Sequence, residues 1–306
     1  MKFLFSSNPK ELSHQQAYVF LIITVFLWAV GVVIARGVRE EIPLIGLSFW
    51  RWTSAFLLIL PFVFRKILNN KVEIKKHLRI YILQGMLMVG GSTLLFYSLT
   101  YTTAINATII NATQPVITIF LAWIILGHKH TRLQSVGVFI ALLGIVMMVS
   151  RLNIDTILNL DFNIGDLLVI TAMFGYGFYA VNISKMPHDL GAMVNLCMIS
   201  LFGSLFVLPF YIAESIFVRP VIFNLQLIII ILVLSFISSI VSTRLWNTAN
   251  AVVGPGKAAI FVNLMPVFGA MLAITFLSET LYFFHIVGTI MVCCGIFMVV
   301  KTKQEQ

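Results

Sequence analysis

The sequence predicts an all-α integral membrane protein in which ten transmembrane helices form two inverted five-helix repeats around a central cavity. Three observations carry that expectation. Hydrophobic residues make up 60% of the 306-residue chain and charged residues only 10%, with a mean hydropathy of +1.02, whereas soluble domains carry roughly 25% charged residues. Apolar runs close to the roughly 20 residues that cross a hydrocarbon core recur along the whole chain. Residues of the first half also reappear in the second at one constant offset.

The apolar runs fall near 17–35, 46–64, 79–99, 103–126, 132–150, 165–184, 191–211, 226–248, 256–277 and 281–300. Barrel strands would alternate polar and apolar residues; stretches such as Leu225 to Leu234 do not. Helices satisfy every peptide group internally, as lipid demands. The first run is longer than a signal-peptide core of roughly 7 to 15 residues and no A-x-A-like site follows it, so it is expected to stay as the first helix. Cys197, Cys293 and Cys294 sit inside apolar runs without metal-ligand spacing and read as small core hydrophobes. No cofactor and no metal are expected.

The net charge of +9 would suggest nucleic acid as the partner of a soluble protein. Here the basic residues flank the membrane and report topology instead. Arg65, Lys66, Lys71, Lys75, Lys76 and Arg79 crowd one side, against Arg36, Arg39, Arg151 and Arg219 on the other. Both termini are therefore expected to be cytoplasmic, in a multi-pass protein of the cytoplasmic (inner) membrane with no nucleic-acid partner.

The internal match is the most informative organisational feature. Leu126-Gly127-His128, Gly137 and Gly144 correspond to Leu277-Ser278-Glu279, Gly288 and Gly295, and Pro115 corresponds to Pro266. The chain divides into repeats 1–151 and 152–306. Because five spans is an odd number, the second copy enters the membrane inverted, with a pseudo-two-fold axis in the membrane plane.

Polar and aromatic side chains within lipid are expensive unless they face protein or a wet cavity. At about 100° per residue, Ser235, Ser239, Ser242, Trp246 and Asn250 share one stripe of the eighth span. Thr24, Trp28, Gly31 and Ala35 do so on the first, and Thr171, Gly175, Tyr179 and Asn182, with Tyr176 beside them, on the sixth. Aromatic planes against small residues suit a cavity that grips an organic solute. Asn111, Gln114 and Thr118 fall in one arc of the fourth span, with Asn106 nearer its end, and amides can bond both an amine and a carboxylate. The competing use of all these groups is helix packing through small residues and interhelical hydrogen bonds.

Arg51 lies several residues into the second span, too deep for easy snorkelling. It needs an acceptor: a solute carboxylate, Glu40 or Glu41, or a helix C-terminus. Lys257 begins the ninth span, where a cation opposes the helix dipole. Arg244 projects away from the Trp246 stripe and is expected to snorkel. The candidate solute-binding residues are thus Trp28, Arg51, Asn111, Gln114, Thr118, Tyr176, Tyr179, Asn182, Ser242, Trp246, Asn250 and Lys257.

Phe26-Leu27-Trp28-Ala29, Trp50-Arg51-Trp52, Pro115 to Gly127, Gly165-Asp166, Asn263 to Pro266 and Leu277-Ser278-Glu279, in that order and spacing, resemble the EamA-type ten-helix branch of the drug/metabolite transporter superfamily over nearly the whole chain. Where that family usually ends the fourth helix with Glu, this chain has His128, and the acid persists only as Glu279. The resemblance implies a carrier of amino acids or related metabolites, often an exporter, with its solute held between the halves.

All 11 acidic residues map to tails, loops or span ends. Proton-coupled carriers usually keep a titratable relay inside the spans, so an exporter or exchanger working by alternating access without tight proton coupling is expected. The alternatives are a multidrug or cationic-metabolite carrier and, from another class, a lipid-handling or non-transporting membrane protein. An enzyme is not expected, because no paired nucleophile and base, His-Glu-x-x-His or phosphate loop is present. The partners are a small solute and the bilayer; the oligomeric state stays open, and a monomer is compatible with the pattern.

Overall fold

An apolar chain that cannot give its peptide groups to water must pair them within each segment, and the described chain is helical with no strand among its described residues. The computed structural model describes residues 12–38, 41–98, 100–101, 110–111, 113–127, 131–150, 152–158, 164–265, 267–269, 271–272 and 283–301. Asn106, His128, Pro266, Leu277-Ser278-Glu279, Glu40, Arg39 and Arg151 lie outside the described residues.

The first half contains α1 (His14–Val38), α2 (Leu44–Asn69) and a short α3 (Lys71–Lys76). α4 (Leu78–Gly85) runs through a π turn, Met86–Gly90, into α5 (Gly91–Ser98); α6 (Gln114–Leu126) and α7 (Arg132–Val149) follow. After α8 (Ile154–Leu158) come α9 (Ile164–Asn182) and α10 (Ala192–Phe217). α11 (Leu225–Val233) passes through a second π turn, Leu234–Val241, into α12 (Ser242–Val253). α13 (Pro255–Ile260) continues as a 3-10 turn, Phe261–Leu264, and α14 (Phe283–Lys301) is the last described helix.

Six of these helical stretches are long and apolar enough to cross a membrane: His14–Gly31, Leu44–Asn69, Leu78–Ser98, Leu167–Lys185, Ala192–Phe217 and Leu225–Val253. Gln114–Leu126, Arg132–Gly144 and Ile286–Val299 are shorter apolar helices. The expected fourth and ninth spans run partly through residues 102–109 and 273–280, outside the described set. Large apolar side chains such as Phe62, Phe139, Phe210, Phe283 and Phe297 point outward, a surface that acyl chains accept and water does not. Cys197 is buried, but Cys293 and Cys294 are exposed and so lie on the outer surface of α14 rather than in the core.

Turn chemistry sets several helix starts. Gly191 (φ 76°) precedes α10 and Gly254 (φ 85°) precedes α13, each in the left-handed region that a glycine adopts without a Cβ penalty. Pro255 then opens α13, where its missing N–H costs nothing. α2 has Pro43 before it and no cap from its own flank. Its free N–H groups at Ile45 and Gly46 instead donate to the Glu214 carboxylate at 3.1 and 2.7 Å. That acid was expected beyond the seventh span, but α10 extends to Phe217 and carries it into the helix, buried against the positive end of α2.

Helices pair through small residues that let backbones approach. α7 and α14 run antiparallel: a Cβ added to Gly137 would lie 2.8 Å from the Gly295 carbonyl oxygen, and one on Gly144 2.9 Å from that of Gly288. α4 meets α10 where Gly85 faces Gly203, α2 packs along α10, α1 along α12, and α9 along both α5 and α6. Two hydroxyls tie these contacts to backbone: Thr24 donates to the Ser242 carbonyl at 3.2 Å, and Ser235 to the Arg51 carbonyl at 2.8 Å.

Two outcomes follow for the purified protein in detergent. Gly137→Leu should lower thermal stability by about 1–3 kcal/mol, the usual cost of overpacking, and an unchanged melting temperature would mean that α7 and α14 do not touch there. Glu214→Ala, which strands two buried N–H donors, should cost about 1–3 kcal/mol, with Glu214→Gln losing less because its amide oxygen still accepts one bond.

Candidate functional site

Where the helices cannot close on one another, aromatic and polar side chains surround a cavity of about 710 Å³ of atom-free space, counting its open side. Its walls come from α1 (Trp28), α2 (Arg51, Trp52), the first π turn and α5 (Met88, Ser92, Leu95, Phe96), the helical residue Asn111 and the first residue of α6 (Gln114), α9 (Tyr176, Tyr179), the second π turn and α12 (Ser238, Trp246), and the 3-10 turn with the residue after it (Val262, Met265).

The aromatic side is built by direct ring contacts. Trp28 and Trp246 pack with centroids 5.1 Å apart at 43°. Tyr179 donates its hydroxyl to Asn247 Oδ1 at 2.6 Å, while its carbonyl accepts from Gln84 Nε2 at 3.2 Å, so both ring and backbone are pinned. Tyr176 packs over Gly91, where a Cβ would come within 3.4 Å of the ring.

The polar side centres on Arg51, which is 5% exposed. Its Nη2 donates to Ser92 Oγ at 3.0 Å, and Trp52 Nε1 donates to the same oxygen at 3.1 Å. Ser92 Oγ in turn donates to the Val89 carbonyl at 3.0 Å, which uses its one proton and both lone pairs. The guanidinium carbon sits 5.4 Å from the Trp52 ring and 5.0 Å from the Phe96 ring, close enough for cation–π attraction. Arg51 Nε is buried without a hydrogen-bond partner. Among the described residues, no carboxylate lines the cavity and no group of acids, histidines and cysteines could hold a metal ion.

Of the residues singled out from sequence, Trp28, Arg51, Asn111, Gln114, Tyr176, Tyr179 and Trp246 line the cavity, whereas Thr118, Asn182, Ser242, Asn250 and Lys257 do not. Each of these five is buried elsewhere. Asn182 donates back to the Phe178 carbonyl at 2.8 Å, and Ser242 donates to the Ser238 carbonyl while its own carbonyl receives Thr24. Arg244, expected to snorkel, is buried and donates to Thr248 Oγ1 at 2.5 Å. The π turn Leu234–Val241 accounts for one shift on the eighth span: its wider i→i+5 turn admits an extra residue and rotates what precedes it. Ser238, and not the Ser239 of the uniform stripe, therefore faces the cavity with Trp246.

Sequence reasoning missed Trp52, Met88, Ser92, Leu95, Phe96, Ser238, Val262 and Met265 as lining residues. The repeat offset held part of the signal. Carried across it, Trp246 leads to Leu95, Asn111 to Val262 and Gln114 to Met265, all of which line the cavity, just as Trp28 leads to Tyr179.

The profile of the EamA-like transporter family matches residues 15–150 and 163–301. An uncharacterized transporter of Archaeoglobus fulgidus is 28% identical over 297 residues, covering 96% of this chain and 100% of the relative. The uncharacterized transporter YyaM of Bacillus subtilis is 26% identical over 264 residues, 81% of each chain. A solved crystal structure with 11% identity superposes with a TM-score of 0.73 over 94% of this chain and 96% of its own, a likeness of fold. The helical architecture, the apolar outer surface and these matches lead to one conclusion: the chain belongs to the EamA-like transporter family and is a multi-pass membrane transporter.

Proposed function

We propose that this transporter carries amino acids or related small metabolites across the cytoplasmic membrane, as an exporter or exchanger. Ten transmembrane helices form two inverted five-helix halves, 1–151 and 152–306, with both termini cytoplasmic, and the halves rock about the solute in alternating access. The observation that carries this reading is the cavity itself, which draws on equivalent positions of both halves: Trp28 with Tyr179, Leu95 with Trp246, Asn111 with Val262, Gln114 with Met265.

Packing supports the two-fold relation. Under such an axis, a contact between Gly137 and Gly295 must recur between their equivalents, Gly288 and Gly144, and both contacts are present. The π turns fall in matching places, Met86–Gly90 ending at the counterpart of Val241, where the second one ends. α1 on α12 likewise mirrors α9 on α5. The family match, too, falls into two stretches of similar length.

The cavity's chemistry suits solutes with an aliphatic or aromatic body and a few hydrogen-bonding groups. Among the described residues no carboxylate lines the cavity and Glu214 is held by backbone N–H groups of α2, which supports transport without tight proton coupling.

In proteoliposomes assayed by counterflow of labelled amino acids, Trp28→Ala, Tyr179→Ala and Trp246→Ala should each slow exchange roughly fivefold to thirtyfold, the effect of losing 1–2 kcal/mol, without preventing insertion. Unchanged rates in all three would refute the cavity as the solute path. Transport should also proceed equally with and without an imposed pH gradient, and strict dependence on the gradient would refute uncoupled exchange.

A further inference from the structure

Charge is distributed very unequally over the cavity. Arg51 is the one charged side chain among the described lining residues, and the counterpart of Arg51 in the second half is Phe202. The amides Asn111 and Gln114 likewise have Val262 and Met265 as counterparts. At these three pairs the first-half residue is polar and its second-half counterpart apolar. A duplicated cavity whose halves differ in this way holds an elongated solute in one orientation, polar end toward Arg51.

Arg51 itself is an incomplete site. A guanidinium offers five N–H donors, and this one makes a single hydrogen bond, to Ser92, a hydroxyl already saturated by Trp52 and Val89. The rings of Trp52 and Phe96 lie against the cation, but ring faces leave the buried Nε–H without an acceptor. Buried charges are ordinarily paired, and Arg51 makes no ion pair with a described carboxylate. The open side of the cavity is where the missing acceptor can enter.

Building on the carrier reading above, we infer that the solute is an organic monoanion: a carboxylate that docks on Arg51, attached to an aromatic or bulky apolar body that lies against Trp28, Trp246 and Met265. One guanidinium neutralises one negative charge. No carboxylate among the described lining residues receives an ammonium, so an amino group is tolerated rather than required, and an amine lacking the carboxylate meets a like charge at Arg51. A planar carboxylate also matches the fork of N–H donors, which a lysine would not reproduce.

The test compares three solutes with the same body: 3-phenylpropionate, phenylalanine and phenethylamine. Binding to the purified transporter in detergent is read by quenching of tryptophan fluorescence and by thermal shift, and movement by counterflow in proteoliposomes. 3-Phenylpropionate should bind at least as tightly as phenylalanine, and phenethylamine at least about tenfold more weakly, as expected when a site built for a polar group meets a ligand lacking it. Arg51→Gln should abolish that order and Arg51→Lys should restore it in part, each variant first being shown monodisperse. Phenethylamine binding as tightly as 3-phenylpropionate, an order unchanged in Arg51→Gln, or no binding of either carboxylate would overturn the inference. Counterflow of the amine alone would overturn it while leaving the carrier reading intact. Tight carboxylate binding without movement would uphold it and refute the carrier reading.

Discussion

The structure depends on how closely bare helix backbones can approach in a medium where apolar side chains gain nothing by leaving lipid. With no hydrophobic force to drive helices together, contact area and hydrogen bonds must do it. The chain meets that condition at glycine: Gly137 against Gly295, Gly144 against Gly288, and Gly85 against Gly203. These are also pairs that join one half of the chain to the other. Other extensive contacts, α1 with α12, α2 with α10, and α9 with α5 and α6, likewise join the first half of the chain to the second.

The cavity is the region from which this close packing is excluded. Trp28, Trp246, Tyr176 and Tyr179 are too large to let helices meet as the glycines do, and each is held in place: by ring stacking, by Gly91, or by Asn247 and Gln84. The two π turns lie beside it, next to Ser92 in one half and carrying Ser238 in the other. Such turns interrupt the helical ladder and recur at functional sites. Closely packed helix pairs thus surround a widened, locally irregular centre.

The chemistry of the cavity lies in how positions that correspond in sequence differ. The second half has Phe202 where the first has Arg51, and Arg51 is the one charged side chain among the described lining residues. The same asymmetry separates Asn111 and Gln114 from Val262 and Met265. Glu214, which caps α2 from α10, shows divergence turned to structure: an acid of the second half satisfies the helix start of the first.

Much of this was legible without coordinates. Composition and the length of apolar runs that do not alternate dictated a helical membrane protein, because lipid leaves only helices and closed barrels to satisfy the backbone. The repeated glycines and Trp28, Tyr179 and Trp246 stood out for the same reason, since intramembrane positions that are small, polar or aromatic carry contacts that lipid-facing leucines do not. The tertiary structure alone decided which of the polar candidates reach the cavity. A stripe at uniform helical spacing put Ser239 with Trp246, and the π turn put Ser238 there instead, because one extra residue in the turn rotates the helical face. Thr118, Asn182, Asn250 and Lys257 are buried against neighbouring helices, and Glu214 lies inside α10. Periodicity specifies which residues share a side of one helix; what that side meets depends on where the other helices pack.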